Sequence, residues 1–284
     1  MTARCRAIAL VLVVVFARSA VAQPATGGGA RADSSLPTSR LFIRSDLYVL
    51  GAFAAGTIAM FPLDRHLASL VRDEDLITNQ DLKRVSSAFR FFGGPGPFII
   101  GGAMYAAGRL ARVERAADLA VHGTEAVVVG LTTSFALKTV LGRGRPYISS
   151  DTNPRNFGLG RGFKSASYQS FPSGHSTAAF AAAAAVSTET SEWWPRSRWI
   201  IAPILCSGAS LVGVSRMYDD KHWASDVVMG AAVGVFAGLK TVRFNHTHAG
   251  NRIDRWLLGG TRSAHLQIHP LSARAIGISA NVNW

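Results

Sequence analysis

The stretch QSFPSGHSTAAFAAAAA, residues 169–185, places Pro-Ser-Gly-His directly before an alanine-rich run. Proline interrupts the preceding backbone pattern, Ser173 and Gly174 are favoured at helix starts, and alanine favours helix. The pattern therefore predicts a helix that begins at residues 173–175. A helix start offers unpaired N–H groups and the positive end of the helix dipole, which suits a phosphate. His175 would stand beside that anion.

The apolar segments around this stretch predict an all-α fold. They are rich in Ala, Leu and Val, they are too long for typical strands, and most prolines fall near the joints between them. The segments cover roughly residues 46–62, 97–111, 117–141, 174–190, 198–215 and 223–242, and a more amphipathic piece covers 76–92. We therefore expect a helical bundle of about six core helices within a domain of residues 41–249.

Residues 1–22 have the features of a secretory signal peptide. Arg4 and Arg6 precede an apolar run at 7–17, and Ala20-Val21-Ala22 is a small-residue cleavage site. The alternative is an uncleaved membrane anchor. Residues 23–40 are rich in Gly, Pro, Ala and Ser and predict a flexible linker.

The C-terminal extension, residues 250–284, changes to alternating apolar and polar residues. This period of two predicts two short strands, with a turn at Pro270-Leu271-Ser272. A single hairpin cannot form a membrane barrel, so we expect a β-hairpin-like extension of the bundle.

The chain carries a formal charge of +13 at pH 7, which favours anionic partners. A phosphorylated small molecule or a lipid phosphate fits this charge. Nucleic acid is not expected, since zinc-finger spacing, RNP-like motifs and basic heptads are absent from the sequence. Of the two cysteines, Cys5 lies within the signal, which leaves Cys206 as a packed thiol.

The apolar cores run about 15–18 residues, at the short end for a membrane span. We therefore expect an exported bundle that is periplasmic or membrane-associated, with an integral membrane protein as the alternative. The segment at 143–164 is strongly basic, which would place it on the cytoplasmic side if three preceding segments spanned. The oligomeric state stays open.

Three polar clusters stand at the ends of apolar helices. The first contains Lys138 and Arg145, the second is Pro-Ser-Gly-His at 172–175, and the third contains Arg216, His222 and Asp226. The short joint between segments 174–190 and 198–215 lets the chain return to the end of the bundle that holds His175. We therefore expect the three clusters to converge.

The converging residue types suit phosphoryl transfer. Lys138, Arg145 and Arg216 can neutralise phosphoryl oxygens, together with the N–H groups of Ser173 and Gly174. Asp226, one helical turn after His222, can hold one ring nitrogen while the other attacks phosphorus. His175 can protonate the leaving oxygen. The set describes a reaction through a phosphohistidine without a metal or cofactor.

These three motifs resemble the signature of the type 2 phosphatidic acid phosphatase (PAP2) superfamily. The matching positions are Lys138-x6-Arg145-Pro146, Pro172-Ser173-Gly174-His175 and Ser215-Arg216-x5-His222-x3-Asp226. That superfamily includes bacterial acid phosphatases, lipid phosphatases and vanadium haloperoxidases. The resemblance implies that His222 is the nucleophile, Asp226 its partner and His175 the general acid. It also implies phosphate binding by Lys138, Arg145, Ser173, Gly174 and Arg216.

Several alternatives remain at this point. A vanadium-dependent haloperoxidase would bind vanadate with the same residues, and a non-enzymatic protein could bind anionic lipid. Arg143 fits an outer position or a solvated one. Metal ligation by Asp219, Asp220, His222 and Asp226 is disfavoured by the nearby cations. His122 and Glu125 are interpreted as a structural pair.

Overall fold

The fold was analysed in a computed structural model, which describes residues 41–148, 153–248, 251–259, 264–272 and 275–282. The chain separates into two compact units, one ending at Thr247 and one beginning at His248. The predicted signal peptide and linker lie outside the described residues.

The first unit is helical, which confirms the predicted fold class. Short 3₁₀ turns join several of its helices. The helices are α1 (Arg44–Met60), α2 (Asp64–Val71), α3 (Glu74–Thr78), α4 (Gln80–Gly93), α5 (Gly96–Ala111), α6 (Glu114–Leu141), α7 (Arg161–Lys164), α8 (Gly174–Trp193), α9 (Arg198–Tyr218) and α10 (Ala224–Thr247).

Each of the six apolar segments corresponds to one helix of this unit. Segment 46–62 ends in the 3₁₀ turn at Phe61–Leu63 after α1, and segment 223–242 begins one residue before α10. The amphipathic piece at 76–92 is divided instead, because Asn79 is extended and its side chain accepts hydrogen bonds from the N–H groups of Asp81 and Leu82. Asn79 thereby caps α4 and separates it from the short α3.

Helix α8 lies at the centre of the bundle and packs against α4, α6, α9 and α10. Its alanines allow close contact, and its buried Phe180 belongs to a core with Phe53, Val212 and Val228. Helix α10 approaches α8 most closely through glycine: a Cβ atom on Gly234 would lie 2.4 Å from the Thr177 carbonyl oxygen. This packing aligns the start of α8 with the start of α10.

Four helical stretches among the described residues are long and apolar enough to cross a membrane, judged by length and composition. They are Arg44–Val71, Glu114–Ile148, Pro195–Tyr218 and Ala224–Thr247. These stretches are longer than the apolar cores of about 15–18 residues recognised in the sequence, because they include flanking helical residues. Large apolar side chains remain exposed on them, including Leu47, Ile58, Phe135 and Ile204.

The second unit begins with a short helix, α11 (Arg252–Asp254), continued by a π-helical turn at Arg255–Gly259. Strands β1 (Ala264–Ser272) and β2 (Ala275–Val282) follow as an antiparallel pair. The predicted hairpin is therefore present. The predicted turn at 270–272 was wrong, since β1 continues to Ser272 and Ser272 pairs with Ala275.

The close approach at Gly234 generates a stability prediction. We expect Gly234→Ala to lower the free energy of unfolding by about 1–3 kcal/mol, because the added methyl group forces α10 away from α8. Gly123→Ala in α6 is the matched control, since a Cβ atom there meets nothing within 4 Å. Thermal unfolding in detergent measures both. Equal melting temperatures for the two variants would contradict the prediction.

Candidate active site

The Pro-Ser-Gly-His motif forms the start of α8, as the sequence predicts. Ser173 is the N-cap residue, and its Oγ accepts hydrogen bonds from the N–H and the hydroxyl of Ser176. The Ser173 N–H donates to the Asp226 carbonyl oxygen at 2.9 Å, which joins this helix start to α10. His175 therefore lies in the first turn of α8, beside the third motif.

Lys138 and Arg145 reach the same helix start from α6. Lys138 lies in the last turn of α6, which ends at Gly142 with a left-handed φ of 58°. A Cβ atom on Gly174 would lie only 3.0 Å from Lys138 Nζ. After this turn, the Arg145 N–H donates to the Ser167 carbonyl oxygen at 3.0 Å.

Arg216 completes the cationic group from the end of α9. Its guanidinium donates to Asp219 Oδ2 at 2.6 Å, and Asp219 also accepts a hydrogen bond from Ser86 on α4. The Nε atoms of Arg145 and Arg216 are buried and have no hydrogen-bond partner within the described part of the chain. Buried, unsatisfied donors of this kind are costly unless an anion accepts from them.

His222 is buried, and the Ser170 backbone positions its ring. Nδ1 lies 2.8 Å from the Ser170 carbonyl oxygen, which can only accept a hydrogen bond, so Nδ1 carries the proton. This leaves the lone pair of Nε2 free. Asp226 Oδ2 is 3.6 Å from Nδ1, beyond hydrogen-bond distance. The direct contact expected of Asp226 is therefore made by the Ser170 carbonyl group.

Asp226 anchors the loop around His222. Its Oδ2 accepts hydrogen bonds from the Ser170 hydroxyl at 2.5 Å and from the Trp223 N–H at 2.8 Å. Its Oδ1 accepts from Arg143 at 2.5 Å. Asp226 thus holds Ser170, which contacts the His222 ring, and Trp223, which follows His222 in the sequence. It also acts on the His222 ring through its negative charge.

Arg143 is fully buried, which excludes the solvated role that the sequence left open. Its guanidinium donates to Asp226, to Asp64 Oδ2 at 2.7 Å and to the Pro154 carbonyl oxygen. Four aromatic rings surround it with centroids 4.8–5.8 Å from Cζ: Phe61, Phe157, Phe171 and Trp223. Arg143 therefore occupies an outer position that supports Asp226.

Both histidines are neutral in the free protein. Burial lowers the pKa of His222 to about 4, and the charges of Lys138 and Arg145 act in the same direction against the opposing effect of Asp226. Burial lowers the pKa of His175 to about 3, with further lowering by Arg216, His222, Lys138 and Arg145. These interactions place the His175 ring within the field of all three cations and the His222 ring within that of Lys138 and Arg145.

The structure thus brings together the eight residues predicted from the sequence. They are Lys138, Arg145, Ser173, Gly174, His175, Arg216, His222 and Asp226. Asp64 and the two roles of Ser170 were not predicted from the sequence, and Asp219 was weighed only in a metal-ligand interpretation that the nearby cations disfavoured. An aspartate directly after Phe61-Pro62-Leu63 was a usable signal for Asp64, since acids in apolar surroundings need a partner.

A comparison with protein-family models matches residues 120–249 to the PAP2 superfamily. The matched region contains all three motifs. Asp64, which pairs with Arg143, lies outside it.

Two curated relatives are similar over part of the chain. A lipid A 1-phosphatase from Porphyromonas gingivalis is 40% identical over 72 residues, which cover 24% of this chain and 15% of that protein. An undecaprenyl-diphosphatase from Sulfolobus acidocaldarius is 28% identical over 137 residues, which cover 47% of this chain and 63% of that protein. The chain thus spans less than two thirds of each relative.

Two solved structures also match. A transmembrane PAP2 type phosphatidylglycerolphosphate phosphatase from Bacillus subtilis aligns with a TM-score of 0.47 at 20% identity, covering 73% of this chain and 98% of that one. LpxE from Aquifex aeolicus aligns with a TM-score of 0.45 at 22% identity, covering 64% of this chain and 95% of that one.

The Arg143 contacts predict a loss of turnover when that side chain is shortened. Arg143→Lys keeps the charge but cannot bind Asp64, Asp226 and Pro154 together. We expect kcat for phosphate ester hydrolysis to fall about 100-fold, because the His222 loop shifts, while KM changes little.

The matched control is Arg84→Lys, a conservative change at a side chain that is 82% exposed. Initial rates are measured over a range of substrate concentrations, well below the melting temperature of each variant. A kcat equal to that of the wild type in Arg143→Lys would show that Asp226 does not depend on Arg143.

Proposed function

We propose that this protein, whose residues 120–249 match the PAP2 superfamily, hydrolyses a lipid phosphate or diphosphate through a phosphohistidine. The observation that carries the proposal is the His222 ring. Its Nδ1 lies 2.8 Å from the Ser170 carbonyl oxygen, and its Nε2 has a lone pair in the field of Lys138 and Arg145. Within the described residues, the buried Nε donors of Arg145 and Arg216 have no hydrogen-bond partner.

In the first step, Nε2 of His222 attacks phosphorus and the P–O bond to the leaving group breaks. Lys138, Arg145 and Arg216 neutralise the phosphoryl oxygens, together with the N–H groups at the start of α8. His175 gives its proton to the leaving oxygen. In the second step, the neutral His175 removes a proton from water, which attacks phosphorus and breaks the P–N bond.

The role of His175 requires that substrate binding changes its protonation. With a pKa of about 3 in the free protein, this ring is neutral near pH 7 and lacks the second proton that a general acid must donate. A dianionic phosphate would offset the positive charges of Arg216, Lys138 and Arg145, which lower that pKa. We therefore propose that the substrate itself promotes protonation of its general acid.

A lipid substrate is favoured by the surface beside the site. Helix α7 packs against the end of α6, since a Cβ atom on Gly162 would lie 2.3 Å from the Lys138 carbonyl oxygen. Next to this contact, Leu159 and Phe163 are 83% and 72% exposed. Apolar side chains beside a phosphate site suit an acyl or prenyl chain. The names of both curated relatives also describe lipid phosphate substrates.

We further propose that the bundle is embedded in a membrane, with α1, α6, α9 and α10 among its spanning helices. Their exposed apolar side chains would face lipid. The chemistry at the phosphate site is proposed to need no metal or cofactor. The curated relatives are named as phosphatases, which favours phosphatase activity over vanadate-dependent halide oxidation and over lipid binding without catalysis.

The first test compares the wild type with His222→Ala in detergent micelles that contain EDTA. We expect phosphate release from a long-chain lipid phosphate or diphosphate, with a lower rate on a water-soluble phosphomonoester. His222→Ala should lose activity at least about 1,000-fold, because the nucleophile is gone. His66→Ala is the control, an exposed histidine on α2. Phosphate is measured directly.

Two results would contradict this proposal. Full activity of His222→Ala would exclude the phosphohistidine, and a preference for the soluble ester would exclude a lipid substrate. Trapping of ³²P on the wild type but not on His222→Ala, after an acid-free quench, would identify the intermediate.

The second test measures protons taken up on anion binding at pH 5. Sulfate serves as the probe, because it stays dianionic at this pH. The free His175 is neutral at pH 5, so a rise of its pKa above 5 on binding gives uptake of up to one proton. Titration calorimetry in buffers of different ionisation enthalpy reports this number.

The control for proton uptake is His175→Asn, which cannot titrate. Sulfate binding without uptake in the wild type would contradict substrate-promoted protonation. Uptake that persists in His175→Asn would place the proton on another group, such as His222.

A further inference from the structure

A second polar cluster lies near the opposite end of the bundle from the phosphate site. It contains His122 from α6, Glu189 from α8 and His246 from α10. Glu189 lies fifteen residues after Gly174 on α8, which is about 22 Å along the helix axis. Neither the three motifs nor the proposed phosphatase chemistry uses these residues.

The three side chains converge on one carboxylate. His122 Nδ1 lies 3.2 Å from Glu189 Oε2, and His246 Nε2 lies 3.0 Å from the same oxygen. All three ligand atoms lie within 4.8 Å of one another. The Glu189 and His122 side chains are only 2% and 8% exposed, whereas that of His246 is 42% exposed. The cluster is therefore a buried site with one open side.

The spacing of these atoms fits a small transition-metal ion. Zinc binds imidazole nitrogen and carboxylate oxygen at about 2.0–2.1 Å in tetrahedral geometry, which places neighbouring ligand atoms about 3.3 Å apart. The two nitrogen–oxygen distances are close to that value. Two histidines and one glutamate also form a known zinc ligand set, in which water occupies the fourth position. The exposed side at His246 leaves room for that water.

The surrounding charges favour a cation at this end. Asp118 and Glu192 act electrostatically on His246. Glu125, on the next turn of α6 after His122, accepts a hydrogen bond from Asn245 at 2.5 Å. These acids contrast with the three cations of the phosphate site. The positive charge of a divalent ion bound by Glu189 would be compensated further by these outer carboxylates.

We propose that His122, Glu189 and His246 bind a divalent transition-metal ion of the zinc type, which links α6, α8 and α10. The ion replaces the protons between the two imidazoles and the carboxylate, and so adds a link between three helices that already meet through the His122–Glu189 and His246–Glu189 hydrogen bonds. Because the site is remote from His222, its effect is on stability and not on the phosphoryl-transfer step. The proposal does not depend on the phosphatase activity.

The test uses full-length protein purified without a histidine tag and treated with EDTA. Zinc is titrated by calorimetry and bound metal is counted by elemental analysis, with cobalt as a second probe because tetrahedral Co²⁺ gives a visible absorption band. We expect the wild type to bind one more ion per chain than His246→Ala binds. We also expect the wild-type melting temperature to rise by several degrees in excess zinc.

Two variants and one control decide the outcome. His246→Ala removes the most exposed ligand and is expected to fold, and Glu189→Gln keeps the shape of the side chain but removes its charge. Both should lose the ion, the cobalt band and the thermal shift, whereas His66→Ala should keep them. No stoichiometric binding to the wild type would overturn the proposal. Binding and a thermal shift that survive in His246→Ala would overturn it as well.

Discussion

The buried ion cluster around Arg143 is the interaction on which the rest of the site depends. One guanidinium is held between Asp64 on α2 and Asp226 on α10, and neither it nor the two carboxylates is exposed. Removing the cation would leave two uncompensated buried carboxylates, which commonly costs about 3–5 kcal/mol. With the cation present, Asp226 has a fixed position from which it holds Ser170 and Trp223, and these residues fix the loop that carries His222. The position of His222, the proposed nucleophile, therefore depends on the same contacts that compensate the buried charges.

Helix α8 separates two regions of opposite charge. Its first turn carries His175 and faces Lys138, Arg145 and Arg216, whereas Glu189, near its C-terminal end, is surrounded by histidines and acids. These side-chain charges oppose the helix dipole, because cations stand at its positive end and acids at its negative end. An anion bound at the first turn, or a cation bound near Glu189, would be favoured by the dipole and by the side chains together. The alanine-rich composition of α8 allows α6, α9 and α10 to approach it closely, so that their polar residues meet at both ends.

Periodicity and helix-boundary residues were sufficient to predict most of the fold. Apolar runs predicted the six core helices. Ser173 predicted the start of α8, because the side chain of an N-cap serine accepts a hydrogen bond from a helix N–H group. The spacing of the motifs gave the residues around the phosphate site. Sequence spacing could not predict contacts between distant segments. The contact of Arg143 with Asp64 depends on the path of the chain after α6, and that of His122 with Glu189 depends on the rotation of α6 and α8 about their axes. For the same reason the nearby Glu125 was chosen as the partner of His122.

The direction of α1 constrains how the site can be oriented in a membrane. Asp46 pairs with Lys240 near one end of the bundle, whereas Asp64 accepts from Ser225 at the other, so α1 runs antiparallel to α10. The segment at residue 41 and the phosphate site therefore lie at opposite ends. In the membrane-embedded arrangement proposed above, an exported residue 41 places the site on the cytoplasmic face, in agreement with the basic segment at 143–164. A periplasmic site instead requires residue 41 to stay in the cytoplasm. In a spanning bundle, the export of the mature N-terminus that the sequence predicts is therefore incompatible with a phosphate site on the periplasmic face.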